Sequence, residues 1–224
     1  RVFTRTMRYT QGDPMIRVLV GLRRRIYLEA VAAVLARKRG LQIVATATDG
    51  PEVIHKTEQT QPDVAIVGWF MPILNGIEIT RQITARRRPP AVILLSDSPE
   101  DGSLVEALRT GAGACLGTQS PFTALTEAIR HLAKGGVFLS PESARLMAAA
   151  AKDGHALPRA MLTVRERQVL QLIAEGYTAR RIATVLGISR KTVDRHRTAL
   201  MQKLDIHNSA SLTRYAVRER VIEP

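Results

Sequence analysis

Residues 64–79 read VAIVGWFMPILNGIEI, and the order of residue types in this stretch decides the fold. Val64 to Gly68 form a continuous apolar run rather than an alternating one, the mark of a strand buried on both faces. Met71-Pro72 then breaks the regular backbone, Asn75-Gly76 supplies a turn, and a helical pattern begins. A buried strand that leads through a short loop into an amphipathic helix is half of a strand–helix–strand unit.

The same order recurs along the chain. Strand candidates are IRVLVG (16–21), LQIVATAT (41–48), DVAIVG (63–68), AVILLS (91–96) and GACLG (113–117). Helical patterns lie between and after them, near 25–39, 50–60, 75–86, 102–111 and 121–134. Five strands alternating with five helices predict an α/β domain with a parallel five-stranded sheet covered on each side. Right-handed crossovers then favour the doubly wound, flavodoxin-like topology. Residues 1–15 read as a disordered tail and 16–134 as the α/β domain. In 135–158, Ser140-Pro141-Glu142 starts one short helix and Asp153-Gly154 stops it, which suggests a linker. Residues 159–224 form a separate, all-α domain.

Charge points to the partner. Thirty-three basic residues face 20 acidic ones, for a net +13 and a pI near 10.9. Up to Gly154 the chain carries 20 basic and 14 acidic residues, hence +6; beyond it, 13 and 6 give +7 in less than half the length. Such an excess, densest in the last third, favours a polyanion such as nucleic acid. No apolar run approaches the roughly 18 residues that a membrane helix needs. Residues 1–15 lack the apolar stretch of a secretory signal, so the expected compartment is the cytoplasm. A single cysteine, Cys115, excludes an intramolecular disulfide and any multi-cysteine metal site. It falls in a buried strand and reads as an inert core thiol. No cofactor is expected.

The all-α domain carries its own punctuation. Thr163 with Glu166 forms a capping box, Gly176 closes that helix, Thr178 caps the next, Gly187 ends it, and Ser189 caps a third; a fourth runs from about Ser209 to Arg220. Helix, short glycine turn and helix make a helix-turn-helix. In the third helix Val193, His196, Leu200 and Leu204 form an inner stripe. Arg190, Lys191, Thr192, Arg195 and Arg197 lie near its N-terminus, suited to a major groove. Arg195 is the candidate base reader, since a guanidinium can donate two bonds to guanine. Arg190, Lys191, Arg197 and Lys203 suit phosphate, with Arg180 and Arg181 gripping the backbone from the preceding helix. His196 lacks a neighbouring ligand and reads as a helix-packing residue.

LTVRERQVLQLIAEGYTARRIATVLGISRKTVDRHRTALMQKL resembles the LuxR-type helix-turn-helix of the NarL/FixJ response regulators, through L-T-x-R-E-x-x-V-L and I-S-x-K-T-V-x-x-H. The upstream half is similar to their receiver domain. The resemblance implies a transcription regulator rather than an enzyme, binding double-stranded DNA as a homodimer through its third helix, with the last helix near Ser209–Arg218 in the dimer contact. It also implies a phosphate-accepting aspartate ending the third strand, an acidic pair holding Mg²⁺ after the first, a Ser or Thr on the fourth and a Lys on the fifth. Here Leu22 and Arg23 occupy the acidic pair, Gly68 the acceptor and Thr118 the lysine; only Ser96 fits. The aromatic position on the fifth strand falls on Cys115. Asp63 begins the third strand, five residues away at about 3.3 Å each, at the wrong edge of the sheet.

Phosphorylation at this degenerate pocket is therefore not expected. Arg23 could place its guanidinium where the metal would sit and hold an ion pair with Asp97. Gly68 opens a gap that either Trp69 or Arg23 fills, or that a small-molecule ligand enters between Leu22, Trp69, Ser96 and Thr118. Two other readings stay open. One is an interaction protein that captures another regulator and binds DNA only as a heterodimer. The other is a flavodoxin-like enzyme, which the lack of a glycine-rich phosphate loop and of a base or nucleophile at the strand ends disfavours.

Overall fold

The computed structural model describes residues 15–97, 107–139, 144–145 and 162–223. Most of the 1–15 tail, most of the 135–158 linker with its short helix, and the first part of the 102–111 helix lie outside the described residues.

The first half is a parallel sheet in the order β2-β1-β3-β4-β5. Its strands are β1 (Ile16–Gly21), β2 (Leu41–Ala47), β3 (Val64–Gly68), β4 (Ala91–Ser96) and β5 (Ala114–Gly117). Four helices are described around it: α1 (Arg25–Ala36), α2 (Gly50–Thr60), α3 (Gly76–Thr84) and α4 (Phe122–Leu132). This is the doubly wound order expected from the continuous apolar strands. Val18, Val64, Ile66, Ile93 and Leu116 face α1 and α4, meeting Leu28, Leu35, Leu125 and Ile129. Leu19, Ala65, Val67, Leu94 and Cys115 face α2 and α3, meeting Val53, Ile79 and Ile83. All five residues of β3 are buried, because both of its faces are covered.

Short polar side chains set where the helices begin. Asp49 accepts from the Glu52 amide ahead of α2, and Asn75 accepts from the Glu78 amide ahead of α3. Each satisfies an amide that the helix itself leaves unpaired, worth about 1 kcal/mol. Gly76 is required for a different reason. A Cβ there would lie 2.5 Å from the Gly68 carbonyl oxygen and 2.8 Å from Leu94 Cδ2, so α3 can close onto the end of β3 only without a side chain.

The second half is α5 (Val164–Ala174), α6 (Ala179–Leu186), α7 (Arg190–Leu204) and α8 (Ser209–Arg218). The capping box of Thr163 and Glu166 is formed. Thr178 caps α6 and Ser189 caps α7. Asn208 caps α8, a role the sequence pattern does not assign to it. Gly176 and Gly187 end α5 and α6 with φ of +83° and +64°, where glycine has no Cβ penalty. Val169, Leu172, Ile182 and Val193 pack α5, α6 and α7 together, and Leu170, Leu200, Leu212 and Ala216 hold α8.

Lys203 forms an ion pair within this half. Its Nζ lies 2.8 Å from Glu166 Oε2, joining the last turn of α7 to the capping box of α5, a partner that the sequence pattern does not assign to it. Burial pushes the Glu166 carboxyl up, but the bonds from Lys203 and Thr163 outweigh it and hold the group below its ordinary range.

Both the Gly76 contact and the Lys203–Glu166 pair can be tested through stability. Gly76→Ala is expected to cost about 1–3 kcal/mol through overpacking, read as a lower urea midpoint for the α/β half. Because the native Glu166 value is lowered, its contribution is complete above the ordinary glutamate range and is lost as pH falls through the native value. Glu166→Gln should flatten the acid limb of the helical domain's stability curve measured by far-UV circular dichroism; an unchanged limb would exclude Glu166 as its source.

Candidate nucleic-acid interface and the pocket at the sheet edge

The amphipathic pattern of α7 places its chemistry. Val193 and Leu200 are buried against the other helices, while His196 and Leu204 of the same stripe are half-buried. Arg190, Lys191, Arg195 and Arg197 are exposed; Lys191 and Arg195 lie on the opposite side of the helix, while Arg190 and Arg197 flank Val193 one turn away. Lys191 and Arg195 make no ion pair among the described residues, so their charges face solvent. Arg190 lies 3.9 Å from Asp194, and Arg197 donates to Ser209 Oγ at 3.1 Å, which steers its guanidinium toward the start of α8. Thr192 is half-buried and belongs to the cap: its amide donates to Ser189 Oγ at 3.1 Å. Arg180 and Arg181 are both exposed at the start of α6. The Arg181 guanidinium sits 4.9 Å from the centre of the Tyr177 ring, a cation–π contact that fixes its direction. Among the described residues, the receiver-like half leaves these cationic side chains exposed.

The second site lies at the C-terminal edge of the strands, between β1 and β3, where the strand order reverses. Leu22 and Arg23 come directly after β1, Gly68 ends β3, Ser96 ends β4 and Thr118 comes directly after β5, so the sequence-predicted pocket residues share one edge. A cavity of about 320 Å³ is lined there by Leu22, Arg23, Gly68, Trp69 and Thr118, among others. Ser96 is buried beneath this edge and does not line the cavity, which corrects its place in the expected ligand pocket.

The space beside Gly68 is bounded by apolar side chains. A Cβ on Gly68 would meet Leu22 Cδ2 at 3.4 Å and Met71 Sδ at 3.5 Å. These are ordinary contact distances, so a first side-chain atom would fit there between apolar neighbours. The expected ion pair between Arg23 and Asp97 is not formed. Thr118 Oγ1 donates to Asp97 at 2.8 Å, while Arg23 and Arg24 each approach a different oxygen of Glu223 at 2.5 Å. The residues do not fit a Mg²⁺ ion: Leu22 offers no ligand and Arg23 brings positive charge. Among the described residues no group of three His, Cys, Asp or Glu is arranged to hold a metal. Cys115 is buried in β5, and burial pushes its thiol up to about 12, so it carries no thiolate at neutral pH.

The loop after Gly68 ties the two halves together. Gln171 of α5 accepts from the Asn75 amide at 2.9 Å and donates to the Met71 carbonyl at 2.9 Å. Glu175 accepts from the Ile73 amide at 3.2 Å. Burial pushes the Glu175 carboxyl up against the opposing pull of Gln171, the Ile73 amide and Arg23. Sequence reasoning misses Gln171, Glu175 and Glu223. The signal for Gln171 is a polar residue on the buried side of α5; Glu223 has no local pattern that would reveal its partners.

The comparisons agree with both halves. Residues 24–130 match the model of the response regulator receiver domain. Residues 160–216 match bacterial regulatory proteins of the luxR family. The chain is 31% identical over 210 residues to the transcriptional regulatory protein LiaR of Bacillus subtilis strain 168, covering 93% of this chain and 100% of that one. It is similar in structure to the response regulator ChrA of a heme-sensing two-component system, with 27% identity, a TM-score of 0.52, and coverage of 93% and 99% of the two chains. A likeness in fold alone extends to an RcsB–DNA complex, with 24% identity, a TM-score of 0.57 and coverage of 90% and 97%. With a receiver fold, a LuxR-type helix-turn-helix and a full-length relative, the chain belongs to the NarL-type response regulators, the transcription regulators that bind DNA.

Proposed function

We propose that this regulator acts on duplex DNA without aspartyl phosphorylation, as a homodimer whose receiver-like half governs assembly and senses a ligand. The observation that carries the proposal is the sheet edge itself. Leu22 and Arg23 stand where an acidic pair would hold a metal, and Gly68 stands where the nucleophile would be. Phosphoryl transfer to such a pocket lacks both a carboxylate and the metal that would neutralise the phosphoryl oxygens. The cationic face of α7 needs no such event to be accessible, because it is exposed.

On DNA, Arg195 reads a guanine edge, and Lys191 and Arg190 neutralise phosphates while Arg180 and Arg181 hold the adjoining backbone. A two-fold dimer then matches half-sites about one helical turn apart. RcsB, a protein of the same fold, has been seen in complex with DNA.

Fluorescence anisotropy on DNA recovered with the protein tests these roles. Arg195→Ala is expected to lose about 1–3 kcal/mol on specific sites and to relax base preference. Lys191→Ala should weaken binding to every sequence alike and reduce the salt slope by about one. Equal losses on specific and random DNA for Arg195→Ala would remove it as the base reader. Sedimentation velocity with the same DNA is expected to give two copies of the chain per site; binding only after a second regulator is added would replace the homodimer with a heterodimer.

A further inference from the structure

The cavity at the sheet edge already contains an anion of the chain's own making. Glu223, in the segment after α8, reaches back across the molecule, and its side chain is only 16% exposed. Arg23 Nη2 meets one carboxylate oxygen and Arg24 Nη2 the other, each at 2.5 Å. One guanidinium per oxygen is a two-point clasp that reads the planar carboxylate, and charge-assisted bonds of this kind are among the stronger polar contacts. The surrounding wall is mixed. Leu22, Tyr27, Trp69, Phe70 and Leu95 line the same cavity. Asp97 lines it too, taken by the Thr118 hydroxyl at 2.8 Å. A second cavity of about 330 Å³ lies on the other side of the clasp, walled by Arg23, Phe70 and Glu223 together with Gln171 and Glu175 of the DNA-binding half. The clasp therefore stands between the sheet edge and the inter-domain contact.

The arginine side chains of the clasp stay 45% and 69% exposed, so a solute can reach them. Both guanidinium groups turn to Glu223, and the space beside Gly68 has Leu22 and Met71 as its neighbours. What the two guanidinium groups and the apolar side chains of the wall share is complementarity to an amphipathic acid: a carboxylate at one end and a compact apolar body at the other.

We infer that Arg23 and Arg24 form a binding site for a small carboxylic acid with an apolar body, and that Glu223 is its internal occupant. An incoming acid takes the two guanidinium groups through its carboxylate, lays its body against Leu22, Tyr27 and Trp69, and displaces Glu223. Release of Glu223 frees the segment after α8, whose Val221 packs in the core of the DNA-binding half. Ligand binding at the sheet edge is thereby coupled to the placement of α8. This rests on the proposal that the receiver-like half senses a ligand, and gives that ligand a chemical class.

Trp69 is the single tryptophan of the chain and lines the cavity, so its emission reports on the site directly. The full chain is titrated with phenylacetate, its neutral analogue phenylacetamide, and inorganic phosphate. Phenylacetate is expected to give a saturable change and phenylacetamide none. Glu223→Gln removes the competing occupant and should tighten phenylacetate by about fivefold or more, since a fraction of the protein is no longer held in the occupied form. Arg23→Ala with Arg24→Ala should abolish the response. A response to phenylacetamide equal to that of phenylacetate, no response in Glu223→Gln, or an undiminished response in the double arginine variant would each overturn the site. Phosphate binding as tightly as phenylacetate would overturn the carboxylate class. DNA affinity is measured in parallel with and without phenylacetate: binding seen by Trp69 without any change on DNA supports the site while removing the sensing role.

Discussion

The loop that ties the two halves together holds a β-branched residue in a strained conformation. Ile73 lies at φ +72°, a left-handed conformation that an isoleucine adopts only at a cost of about 1–3 kcal/mol. Such a residue persists where its surroundings over-determine it, and here they do. Its amide is bonded to Glu175. Its side chain packs both with the α2–α3 face of the sheet and with the α5–α6–α7 core of the DNA-binding half. Ile73 sits beyond Gly68 in the loop whose Met71 carbonyl and Asn75 amide are both taken by Gln171. The conformation of that loop and the docking of the helical domain are thus one equilibrium rather than two.

On the proposed reading, this coupling keeps a receiver fold useful without phosphoryl chemistry. A phosphoryl group would act by adding charge at the end of β3. Here the charges are supplied by the protein itself: Arg23 and Arg24 from the loop after β1, Glu223 from the segment after α8, and Glu175 from the C-cap of α5. Arg23 is the common member, paired with Glu223 and close enough to Glu175 to pull its carboxyl down against burial. Any event that moves Arg23 changes both contacts with the DNA-binding half. The α7 face is exposed already, so the equilibrium adjusts where that face is held, not whether it can be reached.

Much of this was legible in the sequence, and the limits have physical causes. The strands were readable because continuous apolar runs have few alternatives. The helix starts were readable because Thr163, Thr178 and Ser189 can cap only the helix on their C-terminal side. The residues at the pocket positions were readable because missing side chains are visible in one dimension. What a sequence cannot assign is which of several charged residues find one another. Lys203 resembles a phosphate contact because it is basic and on α7, yet its position in the last turn brings it to Glu166. Asp97 is the acid expected beside Arg23, but Thr118 takes Asp97, and Glu223 at the far end of the chain takes the arginine. Long-range ion pairs leave no periodic trace. Ser96 matches a motif, but the alternation of the pleat decides whether a strand-end residue points into a sheet's core or its cavity, and here it is buried.

The proposed regulation requires that no aspartyl phosphate form on this receiver fold. Its most direct test is the intact mass of the full chain after incubation with acetyl phosphate and Mg²⁺, with the acid-labile adduct preserved. An unchanged mass is predicted, because Gly68 offers no nucleophile and Leu22 and Arg23 offer no metal ligand. A gain of one phosphoryl group that maps to the receiver-like half would contradict the account.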